Sequence, residues 1–288
     1  MPRLPGALLR PNRARITLPE DWPKGKVATT LTRILETTRA ALPALRARAG
    51  ELERAAARAP APPSFGAALL CERVALVAEV KRRSPSAGSI RADLDPAEHA
   101  ERYARHGAAA VSVLTDGPFF GGSIADLEAV VARVRVPVLR KDFILEETQI
   151  LEARAAGAAA VLLIVRALSE ARLRALLGFA AAAGLDALVE VHTAAELESA
   201  LAAGARIIGV NSRDLDTFRI DVAAAWTLLG SVPFDRVAIA ESGMASVADV
   251  ERAATAGADA VLVGTALSAA ADPAAQVAAL AGVRRRGR

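Results

Sequence analysis

Lysine is scarce in this chain, and the scarcity points to where chemistry could occur. Of 36 Lys plus Arg in 288 residues, only Lys24, Lys26, Lys81 and Lys141 are lysine. Arg serves wherever a generic positive charge suffices, so a mid-chain Lys asks for a reason. A guanidinium keeps its proton near neutrality, whereas burial can lower the pKa of an ammonium and make it a proton donor. Lys81 and Lys141 are therefore the first candidates. Glu79-Val80-Lys81 ends an apolar run, and Lys141, Glu190, Asn211 and Glu241-Ser242 end others. In an extended chain alternate residues share a face, so Glu79 and Lys81 point the same way. Acids and bases gathered in this way suit proton transfer. The structural alternative is a ring of mutually satisfied salt bridges, but burying a charge costs several kcal/mol as a rough magnitude unless it pairs or acts.

The runs that carry these residues read as strands: Val74 to Lys81, Ala109 to Thr115, Val136 to Lys141, Ala159 to Ile164, Ala187 to Val191, Ile207 to Asn211, Val237 to Glu241 and Ala260 to Val263. Amphipathic helical stretches of about 10 to 15 residues alternate with them, the pattern of parallel βαβ units. Gly107-Ala108, Gly157-Ala158, Gly204-Ala205 and Gly257-Ala258 recur at spacings of 50, 47 and 53 residues. Each Gly suits the left-handed position that stops a helix, and about 50 residues is the length of two βα units. Four double units make an α/β fold of the (β/α)8 TIM-barrel type. An open doubly wound sheet would carry a Gly-rich fingerprint after its first strand, where this chain has Ser84-Pro85-Ser86. Residues 1 to 60 are expected to form an N-terminal helical extension, helical from Val27 to Arg58 and packed on the barrel, with residues 61 to 288 as the catalytic barrel.

In such a barrel the active site lies at the C-terminal strand ends, and a phosphate is often held by the loops after strands seven and eight. Ser242-Gly243 and Gly264-Thr265 occupy those two places. Gly lets backbone amides approach an anion, and the Thr hydroxyl can add a hydrogen bond. His192 shares parity with Glu190 but reads as structural, and His99 and His106 read as surface residues of the first barrel helix.

Composition excludes several classes of function. The net charge is +4, but the Arg residues are scattered among acids, and aromatic residues make up 3%. Little is left for nucleic-acid bases to stack on. The apolar run from Ala155 stops at Arg166, far short of the roughly 20 residues that span a bilayer. Pro2, Pro5 and Pro11 interrupt any secretory h-region, and the single Cys71 has no partner for a disulfide or metal site. A cytoplasmic protein without nucleic-acid or membrane partners is expected, as a monomer or weak homo-oligomer.

The motifs resemble those of the indole-3-glycerol phosphate synthase family. The likeness rests on Ala78-Glu79-Val80-Lys81-Arg82-Arg83-Ser84-Pro85-Ser86, on Leu114-Thr115-Asp116 through Phe120-Gly121-Gly122-Ser123, and on Pro137 through Ile144. It continues through Leu188-Val189-Glu190-Val191-His192, Gly209 through Leu215, and Ala240-Glu241-Ser242-Gly243, covering about Phe65 to Ala270. Ala87 stands where many members carry Lys, and Thr265 where many carry Ser. The resemblance implies ring closure of 1-(2-carboxyphenylamino)-1-deoxyribulose 5-phosphate to indole-3-glycerol phosphate, with loss of carbon dioxide and water and without cofactor or metal. It implies Lys141 as general acid, Glu190 as its carboxylate counterpart, and Lys81 on the substrate carboxylate. Glu79 and Glu241 would hold the ammoniums and substrate hydroxyls, with Asn211 and Ser242 as polar positioning groups. Phe120, Phe143, Leu162 and Leu215 would wall the anthranilate ring, and Ser84, Arg213, Gly243, Gly264 and Thr265 would take the phosphate. A sister barrel such as phosphoribosylanthranilate isomerase relies on Cys and Asp instead. A catalytically silent barrel that binds a phosphorylated metabolite is the alternative from another class.

Overall fold

The computed structural model describes residues 30–286. The Pro-rich residues 1–26, the start of the expected helix at Val27, and the last residues of the basic tail lie outside them. Eight parallel strands close a barrel: β1 (Ala75–Val80), β2 (Ala110–Leu114), β3 (Val138–Lys141), β4 (Ala160–Ile164), β5 (Asp186–Val191), β6 (Ile207–Asn211), β7 (Val237–Glu241) and β8 (Ala260–Val263). The order is sequential and β1 pairs with β8, so no edge is left open. The expected strands differ by one or two residues at some ends.

Strand parity sorts the side chains. Ala75, Val77, Leu139, Leu162, Leu188 and Ile239 fill the interior. Their alternates Leu76, Val111, Val161, Val189, Ile208 and Val261 face the helices outside. Following the inward parity to the C-terminal ends leads to Glu79, Lys141, Glu190, Asn211 and Glu241, so the packing of the core also aims the polar residues.

Three helices precede β1: α1 (Thr30–Ala47), α2 (Ala49–Arg58) and α3 (Phe65–Ala68). The expected single helix is thus broken at Arg48, whose φ of −96° and ψ of 3° redirect the chain. Leu31, Ile34, Leu35 and Leu42 of α1 join the apolar cluster that holds Phe143, Leu145 and Leu168, all beyond the C-terminal ends of β3 and β4. Arg46 pairs with Glu146 in the same region at 2.5 Å. On α2, Leu52 and Ala56 pack with Leu151 on the barrel's flank. α3 lies at the opposite end, where the Gly66 amide donates to Asp186, the first residue of β5, at 2.9 Å.

The helices that follow are α4 (Pro96–Arg105), the short α5 (Gly117–Phe120), α6 (Ile124–Arg133), α7 (Glu147–Ala155), α8 (Glu170–Ala182), α9 (Ala194–Ala202), α10 (Val222–Leu229), α11 (Val247–Thr255), the short α12 (Thr265–Ala269) and α13 (Pro273–Leu280). Asp95, Ser123, Ser169, Thr193, Asp221, Ser246 and Asp272 cap their starts by accepting backbone amides. The four repeat glycines that stop alternate helices have φ between 83° and 108°. His99 is a correction: expected at the surface, it is buried with its ring 6.1 Å from Tyr103. His106 is exposed, as expected. Among the described residues no helix is long and apolar enough to cross a membrane.

Phe65 is fully buried at the barrel's N-terminal end, far from the charged strand ends. Phe65→Ala is expected to cost about 3–5 kcal/mol of unfolding free energy, measured in urea, with turnover at moderate temperature unchanged. A cost below about 1 kcal/mol would mean that the bottom of the barrel collapses to fill the space.

Candidate active site

The C-terminal strand ends surround a cavity of about 960 Å³, part of it open to solvent. Glu79, Lys81, Lys141, Glu190, Asn211 and Glu241 line its floor. Lys81 Nζ lies 2.7 Å from Glu79 Oε1. Lys141 Nζ lies 3.2 Å from Glu190 Oε2 and 3.5 Å from Glu241 Oε2. Ser84, Arg213, Ser242, Gly243, Gly264 and Thr265 rim one side. Phe120, Phe143, Leu162 and Leu215 supply apolar surface, with the two Phe rings 6.2 Å apart. Every residue singled out for the site therefore lines this one cavity.

Three carboxylates face two ammoniums in a nearly dry place, and the charge balance decides their protonation. Burial raises the cost of ionising Glu79, but Lys81 and Lys141 outweigh it and hold its pKa below the ordinary value. Glu190 is also held low against its burial, by Lys141, His192 and a hydrogen bond with Asn211. Glu241 is the carboxyl left over. Burial, with Glu190 and Glu79 nearby, pushes it up to about 8 despite Lys141. Near neutrality the third carboxyl keeps its proton and the cluster is close to neutral. For Lys141 the expected lowering of pKa is corrected: burial acts in that direction, but Glu190, Glu241 and Glu79 prevail and raise it.

Two glycines make room for these carboxylates. A Cβ on Gly209 would fall 2.0 Å from Glu241 Oε1, and one on Gly264 would fall 2.3 Å from Glu79 Oε1 and 3.0 Å from Lys81 Nζ. Gly264, expected only as a way for backbone to approach an anion, is thus also the space that the Glu79–Lys81 pair occupies. Ser242 and Gly243 are both left-handed, with φ of 65° and 73°. For Ser242 this is a sterically costly conformation, held where the strand turns sharply into its loop.

Several lining residues were missed from sequence. Leu262 and Ile164 share the inward parity of their strands and were available to that signal. Met244 and Phe218 lie in loops, and Phe218 adopts a left-handed φ of 58° that no local pattern announces. Asp142 also lines the cavity, tied by Arg140 at 3.1 Å and by Thr115 Oγ1 at 2.5 Å. His192 does not line it and lies behind Glu190.

Comparison with known proteins supplies a family. The profile described as indole-3-glycerol phosphate synthase matches residues 31–280. A curated protein of that name from Opitutus terrae is 50% identical over 235 residues, 79% of this chain and 88% of its own length. One from Mycobacterium ulcerans is 48% identical over 255 residues, 88% and 94% of the two chains. Among solved structures, 3-hexulose-6-phosphate synthase from Salmonella typhimurium superposes with a TM-score of 0.58 at 18% identity, over 72% of this chain and 97% of its own. That likeness is one of fold.

The Glu241 carboxyl makes stability depend on pH in a definite direction. Its folded pKa is raised above the ordinary 4.5 to about 8, so the stability it contributes is complete below the lower value and is lost as pH rises through the upper one. Glu241→Gln replaces it with a group that never ionises. Its melting temperature is expected to match the wild type near pH 5 and to exceed it near pH 9. A difference that does not vary with pH would contradict the assignment.

Proposed function

The chain belongs to the indole-3-glycerol phosphate synthase family, and on that premise we propose which of its residues carry each step. It is a decarboxylating lyase that closes the indole ring of its phosphorylated substrate. A ring carbon of the anthranilate attacks the ketone, whose oxygen takes a proton. The carboxylate leaves as carbon dioxide, and the resulting hydroxyl departs as water while a proton is removed from the adjacent carbon.

Lys141 is the proton donor to the ketone oxygen. Its ammonium stands between Glu190 and Glu241 with its pKa raised, so it is fully charged when substrate arrives. Glu190 takes the proton in dehydration. Lys81, paired with Glu79, meets the substrate carboxylate and can deliver a proton as the hydroxyl leaves. Glu241 holds Lys141 and a substrate hydroxyl, with Asn211 and Ser242 positioning the chain. Phe120, Phe143, Leu162 and Leu215 exclude water from the aromatic ring, which strengthens every charge interaction at the floor. Ser84, Arg213, Gly243, Gly264 and Thr265 take the phosphate. The observation that carries this reading is the gathering of two ammonium–carboxylate pairs with the apolar side chains of Phe120, Phe143, Leu162 and Leu215 in one cavity. The same reading divides the chain at residue 60 into an N-terminal extension and a catalytic barrel, and it places the protein in the cytoplasm as a monomer or weak homo-oligomer without nucleic-acid partners.

Incubation with 1-(2-carboxyphenylamino)-1-deoxyribulose 5-phosphate, followed by indole fluorescence, tests the activity directly. Silence with this substrate would favour a metabolite-binding barrel. Lys141→Arg separates proton donation from mere charge, because a guanidinium does not give up its proton in proteins and its wide planar fork cannot present a single proton to the ketone oxygen as a compact ammonium does. Both Lys141→Arg and Lys141→Met are expected to lose about 100- to 10,000-fold in kcat, the usual contribution of general acid catalysis, with KM changed far less. An active Lys141→Arg enzyme would transfer the acid role to Lys81.

A further inference from the structure

His192 begins the loop after β5, with its side chain 5% exposed and no part in the cavity wall. Its Nε2 lies 3.6 Å from Oε1 of Glu190, the carboxylate oxygen turned away from Lys141. Both atoms are buried and neither meets a partner with hydrogen-bond geometry, while Asn211 on β6 also helps to stabilise the Glu190 carboxylate. On the far side of the ring, Nδ1 lies 3.3 Å from Oε2 of Glu196 on α9, and the same oxygen accepts the His192 backbone amide at 2.7 Å. Arg166, in the turn after β4, holds the other oxygen of Glu196 at 3.1 Å and Asp214 of the β6 loop at 3.0 Å.

From this geometry we propose that His192 is a positioning residue for Glu190, aligned from behind by Glu196, which fixes the orientation of that carboxylate and holds it in anionic form. The proposal rests on the catalytic reading of Glu190 given above. A carboxylate accepts only, so the hydrogen at Nδ1 belongs to the bond with Glu196. Nε2 and Oε1 then face each other with two lone pairs unless a proton lies between them. A proton on Nε2 makes a charge-assisted bond to Glu190, and closing the gap by about half an ångström reaches hydrogen-bond distance. The charged groups around the ring are Glu190 on its own strand and Glu196 on α9, with Arg166 and Asp214 behind Glu196, and Lys141 on β3, Glu241 on β7 and Glu79 on β1 beyond Glu190. Pinned through Oε1, Glu190 keeps Oε2 turned toward Lys141 and the reacting centre. The arrangement is a carboxylate–imidazole–carboxylate chain whose outer end is anchored by an arginine, a common way to orient a reactive side chain through its partner.

The test is the pH profile of kcat and kcat/KM for His192→Phe, His192→Gln and Glu196→Gln beside the wild type. His192→Phe should lose about 10- to 100-fold in kcat, by analogy with the loss seen when a partner that orients a metal-binding side chain is removed, with KM little changed. Without the ring's proton Glu190 protonates more easily, so the acid limb should move to higher pH. His192→Gln keeps an amide donor but no charge, and should recover part of kcat while the limb stays displaced. Glu196→Gln leaves the ring in place and should displace the limb in the same direction by less, which decides the matter if His192→Phe does not fold. Profiles of His192→Phe and Glu196→Gln that superpose on the wild type overturn the proposal. So does a uniform loss with the limb unmoved and no recovery by Gln, which marks a packing role. Nitrogen NMR of the His192 ring in the wild type reads the same contact without turnover: a hydrogen on Nε2 bonded to a carboxylate supports the proposal, and a bare Nε2 overturns it. If the wild type itself failed to convert the substrate while the ring showed this bond, the activity reading would fall and the contact would stand.

Discussion

Three carboxylates held against two ammoniums in a buried pocket set the terms for the rest of the structure. Charges removed from water cost several kcal/mol each unless they are compensated, and five of them on one barrel floor leave little freedom in how they are met. Two pairs form, and the fifth group retains a proton. That balance needs Glu79, Glu190 and Glu241 to approach the same small volume from three strands. They can do so only because Gly209 and Gly264 put no Cβ in the way. The absence of side-chain atoms at two positions is therefore as much a part of the site as the carboxylates are.

The same balance accounts for the apolar residues above the floor. Phe120 and Phe143, their rings 6.2 Å apart, add apolar surface to the same cavity, which strengthens the pairs by lowering the local dielectric. The helix α1, packed over the loops that carry Phe143 and Leu168, extends this shielding from outside the barrel. Behind the floor, the interactions of Glu196, Arg166, Asp142 and Arg140 hold the strand ends in place without reaching the cavity's centre, Asp142 alone lining it.

Much of this was legible in the chain. Eight strands and their closure followed from apolar runs separated by a recurring Gly-Ala pair, because strand period and helix termination are local properties. The polar floor was legible because Lys is rare and because charged residues stand out at the ends of apolar strands. What escaped depends on distance through space. His99 reads as a surface residue from its helix face, yet the chain after β8 supplies Ala270, whose carbonyl accepts from the neighbouring Arg91. The upward shift of Lys141 required knowing that carboxylates from three other strands surround it. The role of Gly209 was invisible for the same reason, since an interior glycine in a strand announces a close approach without naming the visitor.

The plug at the bottom of the barrel has a consequence for the order of events during synthesis. Phe65 and Gly66 emerge early, but the carboxylate that binds the Gly66 amide belongs to a residue 120 positions later. At 5–20 residues per second the ribosome needs roughly 6 to 24 s to deliver that partner. For that interval the segment from Leu31 to Leu69 carries an apolar surface with nothing to cover it, and β1 waits still longer for β8 to close the ring. The helices α1 to α3 must therefore remain soluble as isolated amphipathic pieces until the chain as far as β5 is made.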